Sequence, residues 1–339
     1  MKPVSLTDVA GYLPGKPVPA AYYTEYPGAE DKLRHHPMFK VPPLRHHAAR
    51  DETNTDLIER AVKPLIERHG RDEIRKVDVL LVHSQLPDQP FTGAGTEVAR
   101  RLGLRPEWVV DVATGGCASF VHMLGLARQI LATTDASTAL VCNAQNTAGR
   151  LFTQSKVRGL AQAAVPGDGC GVGFLTASGH SPLLEVRTRY LAEYAGEMTI
   201  RTEDGRKYWE AGTSQLHIGF TEAGTARVVE RGNRLVPEVV GEVCDRIGVP
   251  TADIDLLVTN QPNRMFLSNW RKALRLPAER HPHTFDECGN LFGAALPVTL
   301  DRAVRAGRVR KGDLVVLAGF AHAGDFAGAA AVRWHGGPG

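Results

Sequence analysis

Short apolar runs alternate along the chain with longer segments of helical periodicity. Residues 77–83, 108–112 and 139–144 are almost continuously apolar, which predicts strands buried on both faces. Between them, apolar residues at helical spacing predict helices over residues 54–68 and 118–131. Buried strands that alternate with helices indicate an α/β fold with a mostly parallel sheet.

The second half of the chain repeats this order. Its predicted helices and strands are helices 234–247, 266–274 and 296–306 and strands 254–259, 314–320 and 328–334. The run Asp78-Val-Leu-Leu-Val-His-Ser-Gln aligns with Asp255-Leu-Leu-Val-Thr-Asn-Gln, which indicates an internal duplication. We therefore expect two similar α/β halves, over residues 1–179 and 180–339, whose matching turns face one shared site.

One stretch interrupts this duplication. Residues 190–220 mix aromatic with charged side chains and have no clear helical period. We interpret them as an insertion that covers the site and shapes a substrate pocket, because such loops often set specificity. A contact between two copies of the chain is the alternative.

Composition excludes several classes of function. The 339 residues carry a net charge of +3, and 43% are hydrophobic, so the chain is neither disordered nor basic enough to indicate nucleic-acid binding. The sequence contains no apolar run of membrane-spanning length, and its start lacks a signal-peptide pattern, so we expect a cytoplasmic protein without membrane contact. The five cysteines form no C-x-x-C pair and the histidine pairs stand in Pro-rich surroundings, so no metal site is expected.

Cys117 is the first candidate for chemistry. It lies in Asp111-Val-Ala-Thr-Gly-Gly-Cys-Ala-Ser-Phe, between a predicted strand and a predicted helix. A helix N-terminus favours the thiolate over the thiol, so we expect a lowered pKa and a nucleophilic sulfur here. Cysteine is also a common small core residue, which is our interpretation of Cys142, Cys170 and Cys244.

A nucleophile requires a base and an oxyanion site, and the second half supplies polar candidates. Asn260 ends a predicted strand, Asn290 lies in Cys288-Gly-Asn before a helix, and His322 and Asp325 follow a buried strand. Singly, asparagine often caps a turn and a loop histidine is often structural. Together, they indicate a site that faces Cys117.

These segments resemble the β-ketoacyl-(acyl carrier protein) synthase III group of the thiolase superfamily. The resemblance covers nearly the whole chain in order, and its most specific parts are the cysteine turn and the turn at Asn290. It implies a thiolase fold of five αβαβα layers, a homodimer and an acyl-cysteine intermediate. It also implies a coenzyme A or carrier-protein thioester as co-substrate, with no tightly bound cofactor.

The departures from the family pattern concern the catalytic positions. The family has His-Gln-Ala-Asn where this chain has Asn260-Gln-Pro-Asn, so Asn260 occupies the position of the catalytic histidine, whereas Asn290 matches the family's asparagine. His322 and Asp325 lie where family members usually have glycines. We interpret His322 as a relocated general base whose tautomer Asp325 fixes.

We therefore expect an acyltransferase, like some thiolase-fold enzymes of natural-product pathways. Cys117 is acylated, its N–H and the loop at Gly324 bind the oxyanion and the thioester group, and His322 deprotonates a small hydroxyl or amine acceptor. The alternative within the same fold is a decarboxylative condensation that forms a carbon–carbon bond. A hydrolase with a nucleophile elbow and a non-catalytic subunit are further alternatives, of which the duplication disfavours the hydrolase.

Overall fold

A computed structural model describes residues 2–27, 35–202 and 204–336. The strands in this part of the chain are β1 (Ser5–Tyr12), β2 (Val18–Pro19), β3 (Leu44–Arg45), β4 (Val79–Ser84), β5 (Trp108–Asp111), β6 (Thr138–Gln145), β7 (Gly169–Thr176), β8 (Leu183–Tyr190), β9 (Ile200–Thr202), β10 (Leu216–Ile218), β11 (Leu256–Thr259), β12 (Leu314–Ala321) and β13 (Phe326–Arg333). The α-helices are α1 (Ala21–Thr24), α2 (Asn54–His69), α3 (Arg71–Arg75), α4 (Gly95–Leu102), α5 (Ser119–Thr133), α6 (Glu222–Ile247), α7 (Arg264–Ala273), α8 (Phe285–Cys288) and α9 (Ala295–Arg305).

The strands form two large sheets, one from each end of the chain. The first has the order β1-β7-β6-β4-β5, and its strands lie within residues 5–176. The second has the order β11-β12-β13-β8, and its strands lie within residues 183–333. The small pairs β2–β3 and β9–β10 lie outside these sheets.

The expectation of mostly parallel sheets is wrong. β4 pairs in parallel with β5 and β6, and β11 with β12, but β7 is antiparallel to β1 and β6, and β13 is antiparallel to β12 and β8. The physical reason is clearest at β12 and β13. Only residues 322–325 connect these strands, and so short a connection allows only antiparallel pairing.

The helices and sheets stack in five layers. Helix α2 packs on the outer face of the first sheet, and α6 packs on the outer face of the second. Helices α5 and α9 lie between the two sheets and contact strands of both. The order is therefore αβαβα, and the apolar side chains of the central layer form one continuous core with both sheets.

The predicted elements agree with the observed ones where the pattern of the sequence is strong. Helix α2 begins after Thr53, whose side chain and that of Asp56 form a capping box, and it spans the predicted segment. Strands β4, β6, β11, β12 and β13 and helices α5, α7 and α9 also match their predicted segments within a few residues.

Two elements differ from their predictions for identifiable reasons. Strand β5 is not buried on both faces but lies at the sheet edge, where Trp108 and Val109 remain exposed. Helix α6 begins twelve residues earlier than predicted, at Glu222, where the Thr221 side chain accepts from the Gly224 N–H. The additional turns bury polar residues such as Thr225 and Arg231. The sequence of these turns therefore shows no apolar helical periodicity.

None of the helices in the described ranges is long and apolar enough to cross a lipid bilayer.

Candidate active site

Cys117 lies at the turn that connects the two elements predicted to flank it. The turn is a single 3-10 helical turn over Gly116–Ala118, after β5 and directly before α5. Gly115 and Gly116 have φ angles of 88° and 41°, in the left-handed region that favours glycine. Cys117 is partly exposed, whereas Cys142, Cys170, Cys244 and Cys288 are buried.

Cys117 opens onto a cavity of about 440 Å³. His322, Asn260 and Asn290 from the second half line the same cavity, so the fold brings these predicted residues together with the cysteine. No Asp, Glu, Lys or Arg side chain of the described ranges lines it. The site is thus an apolar cavity with a few polar groups, which suits the binding of a small molecule.

His322 and Asp325 form a hydrogen-bonded pair in the tight turn between β12 and β13. Nδ1 of His322 lies 2.8 and 3.0 Å from the two carboxylate oxygens of Asp325. Since a carboxylate only accepts, Nδ1 donates its hydrogen, and the neutral imidazole carries its lone pair on Nε2. Asp325 itself does not line the cavity and acts through His322.

The Nε2 atom of His322 lies against the turn that carries Cys117. An alanine Cβ at position 116 would be 2.8 Å from this nitrogen, so only glycine leaves room for the imidazole. His322 has a φ of 50°, a strained conformation for a residue with a side chain. The pair thus presents an acceptor nitrogen beside the nucleophile.

Arg231 of α6 is a positioning residue that the sequence analysis missed. Its Nη1 donates to the carbonyl of Ala323, within the turn of His322, at 2.8 Å. The guanidinium is buried, pairs with Glu197 and lies 4.0 Å from the ring centroid of Tyr194. An arginine within a polar part of a helix gives no sequence signal, because its role depends on a distant loop.

The expectation that Gly324 supplies an oxyanion N–H is wrong. Its N–H already donates to the carbonyl of Ala321 at 2.9 Å, which closes the turn. Gly324 also packs against Leu235 and Arg231, and it does not line the cavity. The N–H of Cys117 is different, because it has no backbone acceptor in the described ranges and lies near its own Sγ.

The two asparagines face the cavity with opposite polarity. Nδ2 of Asn260 donates to the carbonyl of Phe320 at 3.3 Å, and Oδ1 has no partner in the described ranges. Because a carbonyl cannot donate, this contact fixes the amide with its oxygen free. In Asn290, Oδ1 accepts from the N–H of Phe292 at 3.0 Å, which leaves Nδ2 as the free donor.

The expected lowering of the thiol pKa is wrong. Burial, the largest effect, and the negative charge of Asp325 raise the pKa of Cys117 to about 12, although its own N–H opposes this rise. Helix α5 begins only at Ser119, and its terminus does not offset the loss of hydration. Cys117 is therefore a thiol at neutral pH and needs a base to become a nucleophile.

His83 is a second imidazole in the cavity that the sequence analysis did not single out. It lies at the carboxyl end of β4, and its Nδ1 is 2.8 Å from the carbonyl of Val112. Like Asn260, His83 is a polar side chain where a buried strand ends, and this position is its signal in the sequence.

Comparison with known proteins supports the resemblance. Residues 110–190 match the family model 3-oxoacyl-[acyl-carrier-protein (ACP)] synthase III, and residues 244–334 match the model of its C-terminal part. The β-ketoacyl-[acyl-carrier-protein] synthase III of Rhodospirillum centenum is 31% identical over 296 residues, covering 86% of this chain and 87% of the relative. That of Thioalkalivibrio sulfidiphilus is 30% identical over 278 residues, covering 81% and 83%.

The chain belongs to the β-ketoacyl-[acyl-carrier-protein] synthase III family. The crystal structure of the Thermus thermophilus synthase III is 26% identical, has a TM-score of 0.81 and covers 98% of this chain and 99% of that one. The predicted α/β thiolase fold is therefore confirmed. Membership makes the protein an enzyme of the thiolase superfamily, whose members transfer or condense acyl groups through an acyl-cysteine.

We predict that alkylation of Cys117 by iodoacetamide accelerates about tenfold per pH unit between about pH 7 and pH 10. A raised pKa leaves only a small thiolate fraction in this range, and that fraction grows with pH until the pKa is reached. Peptide mass spectrometry measures the rate, with the buried Cys142 as internal reference. A rate that is already constant below about pH 8 would contradict the raised pKa.

Proposed function

We propose that the protein transfers an acyl group from a coenzyme A or carrier-protein thioester, through Cys117, to a hydroxyl or amine acceptor. The observation that carries this proposal is the hydrogen-bonded pair of His322 and Asp325 beside the cysteine. This pair supplies a proton acceptor in a site whose histidine position, by the family pattern, holds Asn260. Acyl transfer of this kind explains both departures from the family pattern, namely Asn260 at the histidine position and the pair of His322 and Asp325 in the loop.

The first step loads the enzyme. Nε2 of His322 accepts the thiol proton, and Sγ of Cys117 attacks the thioester carbonyl of the donor. The N–H of Cys117 and Nδ2 of Asn290 are free donors that suit the negative oxygen of the tetrahedral intermediate. When this intermediate collapses, the donor thiol leaves with the proton from His322.

In the second step the acyl group leaves Cys117. The hydroxyl or amine of the acceptor gives its proton to Nε2 of His322 and attacks the acyl-cysteine. Collapse releases the ester or amide, and the proton returns to Sγ of Cys117. Asp325 holds Nδ1–H throughout, which keeps the lone pair on Nε2 and stabilises the imidazolium between the two transfers.

Asn260 distinguishes this reaction from a condensation. An enolate needs hydrogen-bond donors, but one N–H of Asn260 is already donated to the carbonyl of Phe320, and Oδ1 is the atom that has no partner in the described ranges. An amide oxygen accepts well from the O–H or N–H of an acceptor molecule and repels a negative oxygen. This polarity favours oxygen or nitrogen as the atom that receives the acyl group.

Decarboxylative condensation is the second candidate. The names of the two relatives above, both β-ketoacyl-[acyl-carrier-protein] synthase III, favour this reaction over acyl transfer to oxygen or nitrogen. In that case Nδ2 of Asn290, which matches the family's asparagine, would hold the enolate with little help from Asn260.

We also propose that the chain forms a homodimer through β5. This strand lies at the open edge of the first sheet and exposes Trp108 and Val109, and Phe91 nearby in the chain is almost completely exposed. An exposed apolar edge strand favours pairing with a second copy. Residues 198–200 and Phe220, from the insertion, line the cavity instead, which supports its role in shaping the acceptor pocket.

We predict that incubation with acyl-coenzyme A thioesters adds one acyl mass to the intact protein and that Cys117→Ala abolishes this addition. His322→Ala should slow both loading and transfer by about 10²–10⁴-fold, because the thiol and the acceptor lose the same base. Intact mass followed over time measures both steps.

Two outcomes would contradict this proposal. Unimpaired loading and transfer in His322→Ala would exclude its role as the base. Release of CO₂ from a malonyl thioester in step with product formation would favour condensation instead.

For the dimer, we predict that light scattering gives about twice the 36.7 kDa chain mass and that Trp108→Lys shifts this value to the monomer. Trp209→Lys, at a more exposed tryptophan outside β5, is the matched control and should leave the dimer intact. A monomeric wild-type protein would contradict the interface.

A further inference from the structure

Residues that line the cavity of Cys117 carry four buried polar atoms without partners in the described ranges: Oγ of Ser84, which can donate and accept, and three atoms that can only accept. The three pure acceptors are Nε2 of His83, Oε1 of Gln162 and Oδ1 of Asn260. The exposed fractions of the three residues are 3%, 8% and 1%. Leaving a buried polar atom unsatisfied is costly, so a set of three in one cavity indicates a ligand that satisfies them.

The orientation of His83 is fixed by the backbone. Nδ1 must donate to the carbonyl of Val112, 2.8 Å away, which leaves the lone pair on Nε2. Burial, and to a lesser degree the neighbouring His322 and His122, lowers the pKa of His83 to about 4. At neutral pH His83 is therefore an uncharged hydrogen-bond acceptor.

Gln162 is oriented by the same logic. Its Nε2 donates to the carbonyl of Ile218 in β10 at 2.6 Å, so Oε1 is the atom left free. Asn260 is held by Phe320 in the corresponding way. The three acceptors come from β4, from a 3-10 turn over Ala161–Ala164 and from the end of β11, so they converge on the cavity from separate elements.

The three atoms of His83, Gln162 and Asn260 are of one chemical type. Each accepts a hydrogen bond, none can donate one, and no charged side chain of the described ranges lines the cavity. A ligand that complements them carries several O–H or N–H groups. A fatty acyl chain or a carboxylate offers no such donors.

We propose that the molecule that receives the acyl group is a polyol or an amino alcohol. Its O–H or N–H groups bind His83, Gln162 and Asn260, and one further hydroxyl or amine faces His322. The role of this molecule as the acyl acceptor rests on the proposed acyl transfer. Its binding through several O–H or N–H groups is testable without catalysis.

The binding test uses Cys117→Ala protein, which cannot be acylated. Ligand-observed NMR measures the affinity of three probes of one ring size: cyclohexane-1,3,5-triol, its trimethyl ether and cyclohexanol. We expect the triol to bind at least about tenfold more tightly than the ether and cyclohexanol, because only the triol has three donors. If water molecules alone satisfy the three acceptors, the three probes will bind with equal affinity. That result would overturn the proposal.

Matched variants locate the binding. Gln162→Leu removes a free acceptor, whereas Gln154→Leu removes a glutamine that also donates to β10 but does not line the cavity. We expect the first to weaken triol binding about tenfold and the second to leave it unchanged. His83→Phe should have the effect of Gln162→Leu, and His83→Gln, which keeps an acceptor, should restore binding. Equal affinities in Gln162→Leu and Gln154→Leu would contradict the site.

The two proposals fail separately. Triol binding that follows these variants, in a protein that thioesters never acylate, would disprove the acyl transfer and keep the site for a ligand with several donors. Conversely, acylation of Cys117 with no preference for the triol would keep the acyl-enzyme and disprove this acceptor class.

Discussion

The proposed chemistry depends on the contact between Gly116 and the imidazole of His322. The cysteine turn belongs to the first half of the chain and the histidine to the second, and the missing side chain at position 116 lets them meet. Small residues extend this close approach, since a Cβ at Gly319 would lie 3.3 Å from that of Ala118. The strained φ of His322 is held by the Asp325 hydrogen bond on one side and by Arg231 on the backbone.

This contact resolves the problem posed by a thiol of raised pKa. Burial that protects an acyl-cysteine from water also keeps the resting sulfur protonated, so the site needs a base within reach. In the proposed reaction His322 fills this role, because Asn260 cannot take a proton. In the same proposal, the free amide oxygen of Asn260 binds the acceptor.

Sequence patterns predicted the elements with strong apolar periodicity and the residues that converge on the cavity, because strand ends of one fold face one site. The predictions failed where contacts between distant segments determine the local structure or the pKa. Strand β7 is rich in glycine and was not among the predicted strands, yet it pairs with β1 and β6. The edge position of β5, the pKa of Cys117 and the hydrogen bond that closes the turn at Gly324 depend on packing between distant segments.

The most direct test of the account is single-turnover transfer from the preformed acyl-enzyme of Asp325→Asn. An amide that donates to Nδ1 would move the hydrogen of His322 to Nε2, so the imidazole could no longer accept a proton. We predict that transfer slows by about 10²–10⁴-fold while circular dichroism and the melting temperature stay unchanged. A rate close to that of the wild-type protein would show that this histidine is not the base.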